Sequence, residues 1–157
     1  MDKSVRLWHI SRKECLSVFQ HSDFVTSIAF HPRDDRYFLS GSLDCRLRLW
    51  SVPTKSLYAW QEVDKLITAV AFTSDGKSAI AGTYLGQAAF FDIDSFQYRA
   101  TLLAASSRGK NSRGRKITGL KAIPSADSNH DRLLITTNDS RLRLYNLLDN
   151  TLEAKYR

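Results

Sequence analysis

The strongest constraint on this chain is a phrase that returns. Asp2-Lys3-Ser4-Val5-Arg6-Leu7-Trp8 opens it, and Asp44-Cys45-Arg46-Leu47-Arg48-Leu49-Trp50 follows 42 residues later. Asp139-Ser140-Arg141-Leu142-Arg143-Leu144-Tyr145 lies 95 residues beyond that. A weaker copy, Leu85-Gly86-Gln87-Ala88-Ala89-Phe90-Phe91, ends 41 residues after Trp50, which leaves a last interval of 54. A second phrase keeps step: Phe24-Val25-Thr26-Ser27-Ile28-Ala29-Phe30, then Leu66-Ile67-Thr68-Ala69-Val70-Ala71-Phe72, then, more faintly, Lys116-Ile117-Thr118-Gly119-Leu120. Short β-branched and aromatic runs of this kind, set between turn clusters such as Pro32-Arg33-Asp34-Asp35 and Ser74-Asp75-Gly76, read as strands. No stretch keeps a 3.6-residue period, so the expectation is all-β.

A period near 42 residues with four short strands in each unit is the pattern of a β-propeller blade. The expected division is a half blade over 1–20, blades over 21–61 and 62–103, a basic inter-blade loop over 104–116 and a blade over 117–157. Rings close with about 4–8 blades, so about three and a half cannot close. Each blade buries its faces on its neighbours, and an open array leaves two apolar faces wet. The expectation is a partial, unclosed propeller, either a fragment of a longer one or part of a truncated gene model, whose isolated chain aggregates or remains unstable.

The second unit carries more than a period. His21, Val25, Ile28, Phe30, Pro32, Ser40-Gly41-Ser42, Asp44 and Leu47-Arg48-Leu49-Trp50 together resemble a WD repeat. In that family a histidine before the first strand, a hydroxyl on the second, an aspartate in the next turn and a tryptophan on the third form a buried hydrogen-bonded tetrad. The resemblance implies that role for His21, Ser40, Asp44 and Trp50, a structural one, since buried polar groups persist when linked to one another. The third unit has Val63, Ala81, Leu85 and Phe91 at those places. Exchanging every partner for an apolar group is far cheaper than losing one. The fourth keeps Asp139, puts Tyr145 at the tryptophan position and offers Thr136 or Thr137 as the hydroxyl, with no aligned histidine.

Nothing in the sequence assembles a catalytic centre, and no cofactor or metal is expected. His9, His21, His31 and His130 lack ligand spacing with Cys, Asp or Glu. Gly109-Lys110-Asn111-Ser112 lacks the earlier glycine of a phosphate loop, because Ala104 stands there. Asp34-Asp35 sits in a turn, where aspartate serves turn geometry. Two cysteines, Cys15 and Cys45, do not make a disulfide framework, and no apolar run exceeds about four residues. A cytoplasmic protein is expected. Arg46 and Arg48, like Arg141 and Arg143, alternate with leucines along one side of a strand, and are expected to pair with acids of the next blade.

Charge is concentrated in one place. The net +7 comes from 23 Lys and Arg against 16 Asp and Glu, and the segment 106–116 alone holds Arg108, Lys110, Arg113, Arg115 and Lys116 with no acid. Without it the chain is nearly neutral, which argues against a broad nucleic-acid-binding face. Five cations on a glycine-containing loop suit an acidic protein surface, an anionic membrane headgroup or RNA phosphate. Phosphorylation of Ser107 or Ser112 would cancel much of that charge.

The phrases Asp23-Phe24-Val25-Thr26-Ser27-Ile28-Ala29-Phe30-His31-Pro32, Ser107-Arg108-Gly109-Lys110-Asn111 and Asn138-Asp139-Ser140-Arg141-Leu142 are similar to one branch of the WD-repeat family. Its animal member is a cytosolic, membrane-associated effector of a recycling-endosome Rab GTPase, and it has fungal and plant relatives. The resemblance implies a non-enzymatic protein-protein interaction scaffold in vesicle and endosomal trafficking, peripheral on endosomal or Golgi membranes. A Rab-family GTPase would bind through regions outside this chain, and the other partners are the remaining propeller blades. The alternative is an RNA- or nuclear-complex-associated scaffold that uses the basic loop.

Overall fold

A computed structural model of the chain describes residues 2–104, 115–124 and 131–156. Every regular element among them is a strand. The strands are β1 (Ser4–His9), β2 (Glu14–Gln20), β3 (Val25–Phe30), β4 (Tyr37–Ser42), β5 (Arg46–Ser51), β6 (Ser56–Glu62) and β7 (Ile67–Phe72). They continue as β8 (Ser78–Thr83), β9 (Gln87–Asp92), β10 (Tyr98–Leu103), β11 (Ile117–Ile123), β12 (Arg132–Thr137), β13 (Arg141–Asn146) and β14 (Leu152–Tyr156).

Pairing follows chain order throughout. β1 and β2 form a two-stranded sheet, and β3–β6, β7–β10 and β11–β14 form three four-stranded antiparallel meanders. The result is about three and a half propeller blades that do not close a ring. The turns repeat with the strands. Lys3, Cys45, Gly86 and Ser140 all take positive φ at one turn, and Lys13, Lys55, Phe96 and Asn150 at another. One backbone conformation is therefore imposed at each repeat, even on residues with a Cβ, which pay for it sterically.

The core lies between sheets rather than within one. Leu39, Leu47 and Leu49 of the second sheet meet Ile67, Val70 and Phe72 of the third. Ala69, Ile80 and Ala88 of the third meet Ile117, Leu133 and Ile135 of the fourth. The half blade packs Val5 and Phe19 on Phe38 and Trp50, with Phe19 and Phe38 edge to face at 5.0 Å. That cover takes in Val25, Phe38 and Trp50 and leaves the second half of β3 bare. Ile28 and Phe30 on β3 are 53% and 52% exposed, while their counterparts Val70 and Phe72 on β7 are 5% and 6% exposed. The same phrase is buried or wet according to whether a neighbouring sheet stands beside it.

Candidate functional site

The second sheet brings His21, Ser40, Asp44 and Trp50 into one hydrogen-bonded chain. Trp50 Nε1 donates to Ser40 Oγ at 2.7 Å, Ser40 Oγ lies 2.6 Å from His21 Nε2, and His21 Nδ1 lies 3.1 Å from Asp44 Oδ2. The carboxylate also accepts Ser22 N–H at 3.0 Å and Arg46 N–H at 3.0 Å. Burial alone would raise the Asp44 pKa; those two backbone donors and the His21 ring outweigh it and hold the group below its usual range. Burial, then the Arg48 charge, lowers the His21 pKa, so the ring is neutral at pH 7. Nδ1 therefore donates to the carboxylate and Nε2 accepts the Ser40 O–H.

This order of atoms, carboxylate to imidazole to hydroxyl, resembles a nucleophilic relay, but it is closed to substrate. Ser40 has 0% of its surface exposed, and its oxygen is already occupied by the Trp50 indole. The arrangement ties the approach to β3 and the β4–β5 turn to the strands beneath. Asp34 is equally unsuited to acid catalysis. Its hydrogen bond with Arg36 holds its pKa down at about 2, far from a poised proton donor. A cleft of about 360 Å³ opens beside it, lined by His31, Tyr37 and Tyr58 among others. His31 Nε2 meets Gly76 O at 3.0 Å, so this ring clasps the third sheet. No cluster of three or more metal-ligating side chains occurs among the described residues.

Arg48 is a fifth member of the network. It is buried, its guanidinium lies 3.3 Å from Asp44 Oδ2, and it donates to Gln20 O at 2.7 Å. The expected pairing with the next blade is corrected here: the ion pair lies within the arginine's own sheet, and the crossing hydrogen bond goes back to the end of β2. Arg46 likewise turns to its own sheet and lies 4.8 Å over the Trp60 ring. The same aspartate–arginine pair, four residues apart, recurs as Asp2–Arg6 at 2.7 Å and Asp139–Arg143 at 2.6 Å. In the third sheet Leu85 and Ala89 replace both members. The Asp-x-x-x-Arg spacing is visible in the sequence and is the signal that would have found the pair.

Register corrects one further assignment. Ser40 stands opposite Arg48, and in the fourth sheet it is Ile135 that stands opposite Arg143. Neither Thr136 nor Thr137 holds the Ser40 place; Thr137 corresponds to Ser42, and its hydroxyl bonds Asp139 and Arg143. Ala104 stands where His21 does, donating its N–H to Gly86 O as His21 donates to Lys3 O.

The rim above this network is built from the turns that follow the network's residues. Backbone bonds from Leu43 N to Phe24 O, Tyr84 N to Leu66 O and Asn138 N to Lys116 O bring two turns together on each sheet. Phe24, Leu66, Tyr84 and Leu85 are all exposed there. In the sequence Phe24, Leu66 and Leu85 serve only as marks of the repeat and Tyr84 carries no signal; losing the polar network in the third sheet is what puts Leu85 on the rim in place of an aspartate. Arg115 is exposed and Lys116 half-buried at the entry to β11. Arg108, Lys110, Arg113, Ser107 and Ser112 lie outside the described residues. No helix among those described is long and apolar enough to cross a membrane.

Comparison with known proteins agrees with this architecture. The family described as "WD domain, G-beta repeat" matches residues 13–51, which take in β2 and all of β3, β4 and β5. WD repeat-containing protein 44 of Xenopus laevis is 55% identical over 100% of this chain and 17% of its own length. A WD repeat-containing protein of Schizosaccharomyces pombe is 38% identical over 98% of the chain and 27% of its own length. The 2-deoxy-glucose resistant protein 2 of Saccharomyces cerevisiae is 34% identical over 94% and 19%. The chain thus spans about a quarter or less of these relatives. Its repeated strands, its second-sheet network and its likeness to these proteins over nearly all of its residues agree: the chain belongs to the WD-repeat family.

Proposed function

We propose that this chain is part of the propeller of a non-enzymatic trafficking scaffold of the Rab-effector type, acting at endosomal or Golgi membranes. The observation that carries the interaction reading is the rim of Leu66, Tyr84 and Leu85, large side chains left exposed in the turns at one edge of the third sheet. Exposed apolar residues gathered on one face mark a protein docking surface. The trafficking reading is supported by the 55% identity with WD repeat-containing protein 44 over the whole chain. In this reading the GTPase binds outside residues 1–157, the remaining blades complete the ring, and the 104–116 loop leans on acidic partners or anionic headgroups.

The test uses the full-length protein. It should be retained by immobilised Rab charged with a non-hydrolysable GTP analogue and not by the GDP form. Equal retention on both overturns the effector reading. The combined variant Leu66→Ser, Tyr84→Ser, Leu85→Ser should keep the Rab interaction and lose membrane recruitment in cells; unchanged recruitment removes the rim from the account. The cation cluster of Arg108, Lys110, Arg113, Arg115 and Lys116 favours a second reading, a scaffold of an RNA-associated or nuclear complex. That reading requires RNA retention that falls steeply with salt and with replacement of those five residues by Gln.

A further inference from the structure

The contacts between inner strands obey a rule that the last sheet breaks. On β3 and β4 the cross-strand pair facing the third sheet is Ser27 with Gly41, and on β7 and β8 the pair facing the fourth is Ala69 with Gly82. Each glycine floors a socket. A Cβ on Gly41 would lie 2.5 Å from Ile67 Cγ2, and one on Gly82 would lie 2.8 Å from Ile117 Cγ2. Beside each socket a threonine hydroxyl crosses to the incoming strand: Thr26 Oγ1 donates to Ile67 O at 2.9 Å, and Thr68 Oγ1 to Ile117 O at 2.6 Å. Ile67 and Ile117 are both fully buried as a result.

In the fourth sheet the corresponding pair is Gly119 with Thr136. Glycine has moved to the first strand, and threonine stands where the socket was. Thr118, the counterpart of Thr26 and Thr68, donates to Thr136 Oγ1 at 2.9 Å, and Thr136 Oγ1 reaches Gly119 O at 3.4 Å. An isoleucine arriving as Ile67 and Ile117 do would meet the Thr136 Cβ inside van der Waals contact. We propose that the free face of the fourth sheet accepts the inner strand of a further sheet only when that strand carries glycine, alanine or serine in place of the isoleucine. The occupant follows from continuity, since this face repeats two interfaces already formed. A second copy's β3 is excluded by the same contact, because β-branched Val25 pairs with Ser42 as Ile67 pairs with Thr83. The proposal rests on the reading of the chain as part of a longer propeller.

The test appends a copy of residues 62–103 after residue 157, with the copy's docking position either isoleucine or serine (Ile67→Ser in the copy). Both fusions are made on the wild-type host and on the Thr136→Gly host. Deuterium uptake over 117–123 reads docking. The serine copy should protect that strand on the wild-type host, and the isoleucine copy only on the Thr136→Gly host. Matched pairs should exceed the mismatched pair by about tenfold or more, the range that overpacking a tight core produces. If the isoleucine copy docks equally on both hosts, the size rule is overturned while the propeller reading stands. If no copy protects any host, the propeller reading fails and the rule with it. A control within the natural chain needs no fusion. Gly82→Thr should speed exchange over 117–123, and adding Ile117→Ala should recover part of the loss; purely additive effects overturn the rule.

Discussion

Ser40→Ala is the most informative single change. It deletes one oxygen and leaves two buried groups without a partner, Trp50 Nε1 and His21 Nε2. An orphaned buried donor or acceptor costs about 1–3 kcal/mol, so the two together cost about 2–6 kcal/mol. The third sheet shows how the same space is filled without polar atoms: Val63, Ala81, Leu85, Ala89 and Phe91 stand where His21, Ser40, Asp44, Arg48 and Trp50 do. The fivefold variant His21→Val, Ser40→Ala, Asp44→Leu, Arg48→Ala, Trp50→Phe removes every side chain of the network and leaves no buried side-chain orphan; Ser22 N–H, Arg46 N–H and Gln20 O lose their partners at the edge of the sheet, where water reaches them. Its main remaining cost is packing volume, chiefly Trp50→Phe, about 1–3 kcal/mol. Urea unfolding followed by far-ultraviolet circular dichroism should therefore find the fivefold variant far less damaged than the sum of its five single changes. The Arg48 member is essential: a fourfold variant that keeps it strands a buried guanidinium, and breaking a buried pair in this way costs about 3–5 kcal/mol. If the single effects add to the fivefold effect within about 0.5 kcal/mol, the five residues do not act as a unit and the reasoning fails.

Acid should weaken the fold in two steps. The His21 pKa is depressed below 6.5, so the unfolded chain takes up a proton that the folded chain refuses, and stability falls as pH drops below that value. The Asp44 pKa is depressed below 3.8, so its contribution is present above that pH and is lost as pH falls through the lower folded value. The urea midpoint should decline from about pH 7 to about pH 5, and less so in the fivefold variant; a flat profile there refutes the neutral, buried imidazole. Gly76→Ala places a Cβ at φ +76°, 2.4 Å from His31 Cε1. The expected loss is about 1–3 kcal/mol by thermal unfolding, partly relieved by His31→Ala, and a neutral result would show that the clasp between sheets is slack. Ile28→Thr with Phe30→Ser should lower the light scattering of the isolated chain and cost less in urea midpoint than Val70→Thr with Phe72→Ser, because the first two side chains are half exposed and the second two buried. An equal loss would mean that something covers Ile28 and Phe30.

Local pattern carried the reading of this protein a long way. The period, the strand positions and the His21–Ser40–Asp44–Trp50 set were legible because each repeat restates the same alternation and the same turn, and a strand's facing pattern is a property of two or three neighbours in sequence. Tertiary structure alone decided what crosses from one unit to another. The clasp of His31 on Gly76, the bonds of Ser74 to Asp131 and of Thr26 to the Ile67 carbonyl, and the exposure of Ile28 against the burial of Val70 all depend on how one sheet leans on the next. Register decided the rest, since one residue of slip turns a side chain to the opposite face. It put Ile135 where Thr136 or Thr137 was expected, turned the arginines to their own aspartates, and left Thr136 in a place that glycine holds in the other two sheets.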